Sequence, residues 1–261
     1  MLPASSLPAT AVATFVALVA TALAPGVAHA DETISSRAAD DAAVGRSYFA
    51  PTALNAPEGS VTLNLRAPLY PAISASINAT LTDRIEVFVG AGAAVVLDDE
   101  GNNPNRLVGG GVKLQVLRTA STAVALTGSA YRREAYFHTD PFEEGWDEPA
   151  LVIGEVGAVG TTCLDARCNT IVTAHAHYLP ELRKGGVDRV WGGGSIVAGR
   201  GRSRIVADAT LGREADDTGL LGYLGYRAAR ETWSFDAGLL VVADGSGDVL
   251  PWPTFGVSAR W

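Results

Sequence analysis

The chain has 261 residues, a formal net charge of −8 and 48% hydrophobic residues, but only 18% charged residues. The negative charge argues against nucleic acid as a partner. No stretch after residue 30 has the run of about 20 apolar residues that a membrane helix needs. The composition therefore leaves two classes: a soluble β protein with a large core, or a β-barrel with an apolar exterior.

Residues 1–30 are typical of an export signal. Ala11–Leu23 is apolar, Pro25 and Gly26 interrupt it, and Ala28-His29-Ala30 forms a cleavage site of small residues before Asp31. No Lys or Arg precedes the apolar run, which departs from the usual pattern. A cleaved signal peptide is the prediction, and a retained anchor helix is the alternative.

Two stretches of different composition follow the signal. Asp31–Gly45 is acidic and rich in small residues, which predicts a mobile segment in the periplasm. Arg46–Gly59 contains aromatic residues and prolines. We expect it to be ordered but irregular, and to plug or line the mouth of the domain that follows.

From Ser60 onward, apolar residues alternate with polar or small ones, which predicts β-strands with two different faces. The clearest alternation lies between Ile73 and Leu81. The predicted strands are Ser60–Ala67, Ala72–Leu81, Ile85–Leu97, Val108–Val116, Thr122–Arg132, Ala150–Thr161, Thr170–Tyr178, Val190–Gly199, Arg204–Leu211, Gly219–Arg227, Thr232–Val242 and Phe255–Trp261.

The connections between these strands alternate between short and long. The predicted long connections are Asp98–Arg106, Glu134–Pro149, Leu179–Arg189, Arg213–Thr218 and Ala243–Leu250, and only Pro68–Pro71 departs from the rule. Short turns at one end, long loops at the other and an even number of strands are features of transmembrane barrels. The prediction is an all-β fold, a transmembrane antiparallel β-barrel of about 12 strands in an up-and-down meander.

The last strand ends on an aromatic residue. Phe255, Val257, Ala259 and Trp261 share one face. This ending resembles the closing strand of bacterial outer-membrane barrels, whose terminal Phe or Trp helps to mark them for insertion. The resemblance implies the barrel-assembly machinery and periplasmic chaperones as partners during insertion.

Two further stretches carry a resemblance. Tyr48-Phe49-Ala50-Pro51-Thr52-Ala53, and Leu81-Thr82-Asp83-Arg84-Ile85-Glu86 followed by Val89-Gly90-Ala91-Gly92, resemble uncharacterised outer-membrane barrel proteins of Gram-negative bacteria. The resemblance implies an outer-membrane location and a barrel fold. Together with the composition, the predicted organisation is a signal peptide at 1–30, a periplasmic segment or plug at 31–59 and an outer-membrane barrel at 60–261. The resemblance implies no substrate.

Charged and polar residues on the minority faces of the strands are candidates to line the lumen. A slip of every strand by one residue would turn these charges to the lipid, at a cost on the order of 10 kcal/mol or more. Functionally the row forms either a narrow polar pore or an internal network of ion pairs that fills the lumen. Gly90, Gly92, Gly109 and Gly111 favour the pore, since they leave room. The candidates are Arg66, Glu86, Lys113, Glu155, His175, His177, Arg204, Asp208, Arg227, Asp236 and Arg260.

The cysteines and histidines are the remaining chemical groups. Cys163 and Cys168 predict a disulfide across a tight turn of an exported protein. His175 and His177 lie two apart on one strand face, and a bare pair of histidines is a weak metal or catalytic site. We predict no metal, no cofactor and no catalytic residue.

The leading prediction is a non-enzymatic outer-membrane protein, either a small porin-like diffusion channel or a structural barrel. Its expected partners are outer-membrane lipid and lipopolysaccharide. The alternative is a surface adhesin or recognition barrel that acts through the loop at 134–149, which carries acidic and aromatic residues. An outer-membrane hydrolase is the third possibility.

Overall fold

The computed structural model describes residues 33–67, 73–98, 101–137, 146–147, 151–180, 189–214, 217–243 and 249–261. Five predictions fall wholly or largely outside these residues: the signal peptide at 1–30, the connection Pro68–Pro71, and the loops at 134–149, 179–189 and 243–250.

The described chain consists almost entirely of β-strands. The only helix within the described residues, α1, covers Ile34–Arg37. No helix in the described part of the chain is long and apolar enough to cross a membrane. The strands are β1 Val61–Ala67, β2 Ile73–Thr80, β3 Ile85–Asp98, β4 Gly101–Arg118, β5 Thr122–Phe137, β6 Trp146–Asp147, β7 Leu151–Cys163, β8 Thr170–Leu179, β9 Arg189–Arg200, β10 Ser203–Glu214, β11 Asp217–Ala229, β12 Trp233–Ala243 and β13 Val249–Arg260.

Twelve of these strands close into an antiparallel barrel. Each strand pairs with its neighbour along the chain, β5 pairs with β7, and β13 pairs with β1 to close the ring. The two-residue strand β6 pairs only with the far end of β5 among the described strands. The predicted fold class, the number of barrel strands and the meander order are therefore confirmed.

The two ends of the barrel differ. Connections of two to six residues join the strands at one end, the turn end, where β1 begins and β13 finishes. The other end, the loop end, carries the remaining connections. The turn between β7 and β8 contains the disulfide Cys163–Cys168, which confirms the predicted pairing.

The alternation of the strands separates an apolar outer face from a largely polar inner face. Outward residues such as Val89, Leu224 and Phe255 are more than half exposed, while the inward Lys113 and Arg227 are almost fully buried. Because successive side chains of a strand point to opposite faces, the burial of these residues shows which face of the sheet points into the lumen.

Several strands are longer than predicted, and the predicted loops are correspondingly shorter. Asp98–Arg106 and Arg213–Thr218 are wrong as loops, because the strands extend to Asp98 and from Gly101 in the first, and to Glu214 and from Asp217 in the second. β13 likewise begins at Val249 rather than at Phe255. A strand needs about 9–11 residues to cross a bilayer, so a longer strand projects into water, where both of its faces can be polar.

Candidate functional site

The segment at residues 33–59, called the inserted segment below, lies inside the barrel at the turn end. Its side chains pack on inward residues of the wall, with Ile34 and Leu54 in one apolar cluster with Ala125 and Val159. The prediction that Asp31–Gly45 is mobile is wrong for the part described from Thr33 onward, because apolar burial and hydrogen bonds hold it. The buried apolar residues of the segment are Ile34, Ala38, Ala42, Ala43, Val44, Tyr48, Ala50, Ala53, Leu54 and Ala56.

Arg227 is the largest fully buried side chain among the described residues, and it joins the segment to the wall. Its Nε donates to Asp236 Oδ1 on β12 at 2.7 Å, and its Nη1 donates to Asp41 Oδ2 of the segment at 3.1 Å. Its Nη2 donates to the carbonyl of Ser47 at 3.0 Å. A planar guanidinium offers five donors in a fixed fork, so one side chain binds two carboxylates and the main chain together.

Asp208 on β10 holds the middle of the segment. One carboxylate oxygen, Oδ2, accepts hydrogen bonds from Ser47 Oγ at 2.6 Å, from the Phe49 amide at 2.8 Å and from the Ala50 amide at 3.1 Å. Donors from a turn of the chain thus converge on a buried carboxylate. This arrangement satisfies main-chain groups that are shielded from water and would otherwise lack partners.

Lys113 holds the segment from β4. Its ammonium group lies 3.1 Å from Glu86 Oε1 and donates to the carbonyl of Leu54 at 2.7 Å. Other wall side chains bind the segment in the same way. They are Gln115, which donates to the carbonyl of Ala53 at 2.7 Å, Thr161, which accepts from the amide of Ala53 at 2.9 Å, Arg204, which binds Asp40 at 2.6 Å, and Arg260, which donates to the carbonyl of Ala39 at 2.5 Å.

Tyr48 forms an aromatic platform in the lumen. Its ring stacks on Tyr223 of β11 with centroids 4.0 Å apart and an interplanar angle of 10°. Its hydroxyl bonds the Thr254 hydroxyl and donates to the carbonyl of Phe255 at 2.9 Å. The guanidinium of Arg66 lies 5.3 Å from the ring centroid, within the range of a cation–π contact.

The histidines lie nearer the loop end, in a cluster with Glu155, Trp191 and Thr210. His177 stacks on Trp191 with centroids 4.0 Å apart, and its Nδ1 lies 2.6 Å from Glu155 Oε1. The His175 ring is 5.4 Å from that of His177, and its Nε2 is 3.5 Å from the Thr210 hydroxyl. No group of three or more His, Cys, Asp or Glu side chains suited to a metal ion occurs among the described residues.

Two of the four interior glycines, Gly109 and Gly111, lie against inward aromatic rings. A Cβ atom on Gly109 would lie 2.5 Å from Tyr131 Cδ1, and one on Gly111 would lie 2.7 Å from Phe88 Cζ. These two glycines therefore admit aromatic side chains of neighbouring strands, since a Gly in a strand often marks a close approach. They do not support the interpretation that they widen a pore.

The structure brings the eleven candidate lumen residues to the inner face, and ten of them are at most 7% exposed. The exception is Glu155, which is partly buried. Lys113, Arg204, Asp208, Arg227 and Arg260 bind the inserted segment directly.

Sequence reasoning missed the residues that these lumen side chains contact. Asp40, Asp41 and Tyr48 lie in the inserted segment, and Tyr223 and Trp191 lie on barrel strands, where the sequence pattern did not single them out. One feature of the sequence could have pointed to the two aspartates. Several inward cations had no acidic partner on a neighbouring strand, and the acids of residues 31–45 could supply one.

A closed antiparallel barrel with an apolar outer face defines the class: the fold is that of an outer-membrane β-barrel. No protein-family model and no curated protein matches the sequence. Among solved structures the chain is similar to LpxR from Salmonella typhimurium, with a TM-score of 0.52, 9% identity, and coverage of 77% of this chain and 99% of that one. At this identity the likeness shows the fold alone.

Two autotransporter domains are also similar. The β domain of the Bordetella autotransporter Brka has a TM-score of 0.46 and 10% identity, over 77% of this chain and 96% of that one. The translocator domain of NalP from Neisseria meningitidis has a TM-score of 0.43 and 11% identity, over 77% and 86%.

Proposed function

We propose that the protein is an outer-membrane barrel whose lumen is closed by its own N-terminal segment, so that it is a non-enzymatic, structural barrel and not an open diffusion channel. The observation that carries this proposal is the position of residues 33–59 inside the barrel. Of the two functions expected for the polar inner row, an ion-paired filling is favoured over a pore.

The contacts of the inserted segment reach most of the way round the lumen. They involve Lys113 and Gln115 on β4, Thr161 on β7, Asp208 on β10 and Arg227 on β11. Hydrogen bonds to charged groups contribute about 1.5–3 kcal/mol each, and the apolar cluster adds the burial of its side chains. A segment held on several sides stays fixed inside the barrel and closes the route for solutes at this end.

Conductance in a planar bilayer tests the closure. We expect the refolded wild-type protein to be silent, and a variant without residues 33–59 to show ohmic steps. The matched control is Pro57→Ala with Glu58→Ala, which changes exposed residues of the same segment and should stay silent. Ohmic steps from the wild type, equal to those of the deletion, would refute the closed barrel.

Each variant must first be shown to be folded. A mobility shift between boiled and unboiled samples on an SDS gel reports an SDS-resistant barrel. Where the deletion fails this check, the triple variant Asp41→Asn, Tyr48→Ala and Leu54→Ala loosens the segment from within and takes its place. Folded protein that stays silent in every loosened variant would exclude a channel beneath the segment.

The proposal includes the location and route of the protein. A signal peptide at 1–30 directs export, the turn end and both termini face the periplasm, and the outward row that ends in Trp261 marks the closing strand for the assembly machinery. N-terminal sequencing of the membrane-extracted protein should begin at Asp31. A start at Met1, or recovery of the protein in the soluble fraction, would contradict this part.

The other two functions stay predictions. The adhesin hypothesis concerns the loop at 134–149, most of which lies outside the described residues. The hydrolase hypothesis would need a nucleophile beside a histidine. In the part of the chain that the structure describes, the recorded polar partners of His175 and His177 are Thr210 and Glu155.

A further inference from the structure

The outer face of the barrel carries a hollow near the loop end, across β2–β5. Its volume is about 430 Å³, within the range of about 300–1,000 Å³ that is usual for ligand sites. Its floor is formed by Ala75, Ala91 and Ala93, which have short side chains. Ile73 and Val108 flank the floor and are more than half exposed.

The register shows that the hollow faces outward. Ala75, Ala91, Val108 and Arg132 are register partners in one row across four strands. The next row toward the turn end contains Val89, which is 61% exposed and belongs to the apolar outer face. Short side chains between larger ones on a lipid-facing wall leave a trough for a hydrocarbon chain.

Two arginines stand at the upper rim of this hollow. Arg132 lies in the row of Ala91, and Arg106 lies one row nearer the loop end, opposite Ala93 on one side and Glu134 on the other. Both arginines line the hollow and are exposed on the outer face.

The height of the arginines coincides with the edge of the membrane. The exposed apolar row of β4 runs from Val116 to Val108. The eight steps from Val116 to Val108, in a strand tilted by about 40°, rise about 21 Å, against an apolar band of about 25 Å on membrane barrels. Arg106 is the next outward position. An arginine on the lipid face is costly at mid-bilayer and nearly free at the interface, where lipid phosphates lie.

We propose that this hollow binds lipid A, the phosphorylated and multiply acylated anchor of lipopolysaccharide, with one acyl chain over Ala75 and Ala91 and a phosphate on Arg106 and Arg132. Guanidinium groups bind phosphate in a bidentate manner. The site rests on the proposed orientation, in which the loop end faces the outer leaflet. A trough beside a cationic rim fits a lipid that offers acyl chains and phosphate together.

The test is a lipid titration of the refolded full chain in detergent, followed by native mass spectrometry. Hexa-acylated bisphosphorylated lipid A is the probe, and phosphatidylglycerol is the comparison lipid. We expect Arg106→Gln with Arg132→Gln to weaken lipid A binding at least about tenfold. The matched control, Arg84→Gln with Arg202→Gln, removes the same charge from exposed residues of the turn end and should leave binding unchanged.

A second variant keeps the test valid if the double substitution does not fold. Ala91→Leu fills the trough without a change of charge, and should also weaken binding. Equal affinity of the wild type, the double arginine variant and Ala91→Leu would overturn the site, and so would phosphatidylglycerol binding as tightly as lipid A. Because the conductance test uses phospholipid bilayers without lipid A, failure of the closed-barrel proposal would be seen separately.

Discussion

Arg227 gives the sharpest test of how the inserted segment is held. Replacement by alanine removes the cation that joins Asp236, which is 0% exposed, to Asp41, which is 2% exposed. Two carboxylates then remain buried without their common partner. Breaking a buried ion pair from one side costs on the order of 3–5 kcal/mol, so Arg227→Ala should lose that much free energy of unfolding.

The assay is urea unfolding of the barrel in micelles, followed by tryptophan fluorescence, with proteolysis of residues 33–59 as a second readout. Arg202→Ala, in an exposed turn at the same end, is the control and should change stability by less than about 0.5 kcal/mol. The segment of Arg227→Ala should become accessible to protease before the barrel unfolds.

A repair variant separates charge from packing. Arg227→Met combined with Asp41→Asn and Asp236→Asn removes the cation and both of its carboxylate partners together, so it should recover at least half of the lost stability. A loss below about 1 kcal/mol in Arg227→Ala, or a repair variant no more stable than the single one, would refute the reasoning from buried charge.

Two further predictions concern other parts of the barrel. In Gly157→Ala the new Cβ would lie 2.3 Å from His177 Nδ1, so the imidazole must leave its stacked position on Trp191 and the tryptophan fluorescence should change. The control is Gly128→Ala, where a new Cβ would have no atom within 4 Å. An unchanged spectrum in Gly157→Ala would contradict the stacking. In the turn between β7 and β8, desolvation raises the pKa of Asp165 but is outweighed by hydrogen bonds from the backbone amides of the turn, so that its pKa lies below the usual value. Its stabilising contribution should be complete above the unfolded pKa of about 3.9 and be lost as the pH falls through the lower folded pKa. An NMR titration of the carboxyl group with a pKa at or above about 3.9 would disprove this, and Asp165→Asn should remove this contribution to the pH dependence of stability.

The barrel itself could be predicted from the sequence, since its rule is local. Residues two apart in a strand share a face, so the alternation from Ile73 to Leu81 already separates inside from outside. Repeated over twelve strands with short turns at one end, it determines the fold class, the meander order and the burial of Lys113 and Arg227. The spacing of Cys163 and Cys168 determined the disulfide in the same local way.

Strand ends could not be predicted in this way. Polar composition alone made Asp98–Arg106 look like a loop, but β3 and β4 continue as a ladder through most of it. Outside the bilayer both faces of a strand meet water, so the alternation disappears while the backbone hydrogen bonds remain. Composition reports solvent exposure there and not secondary structure.

Only the tertiary structure decided what fills the lumen. The inserted segment has no regular period, and its partners are far away along the chain: Asp41 and Arg227 are 186 residues apart, and Tyr48 and Thr254 are 206 apart. The sequence by itself determined that charged side chains point inward. Whether they face water or a folded segment depends on long-range pairing that no local pattern records, and in this protein the pairing fills the turn end of the barrel.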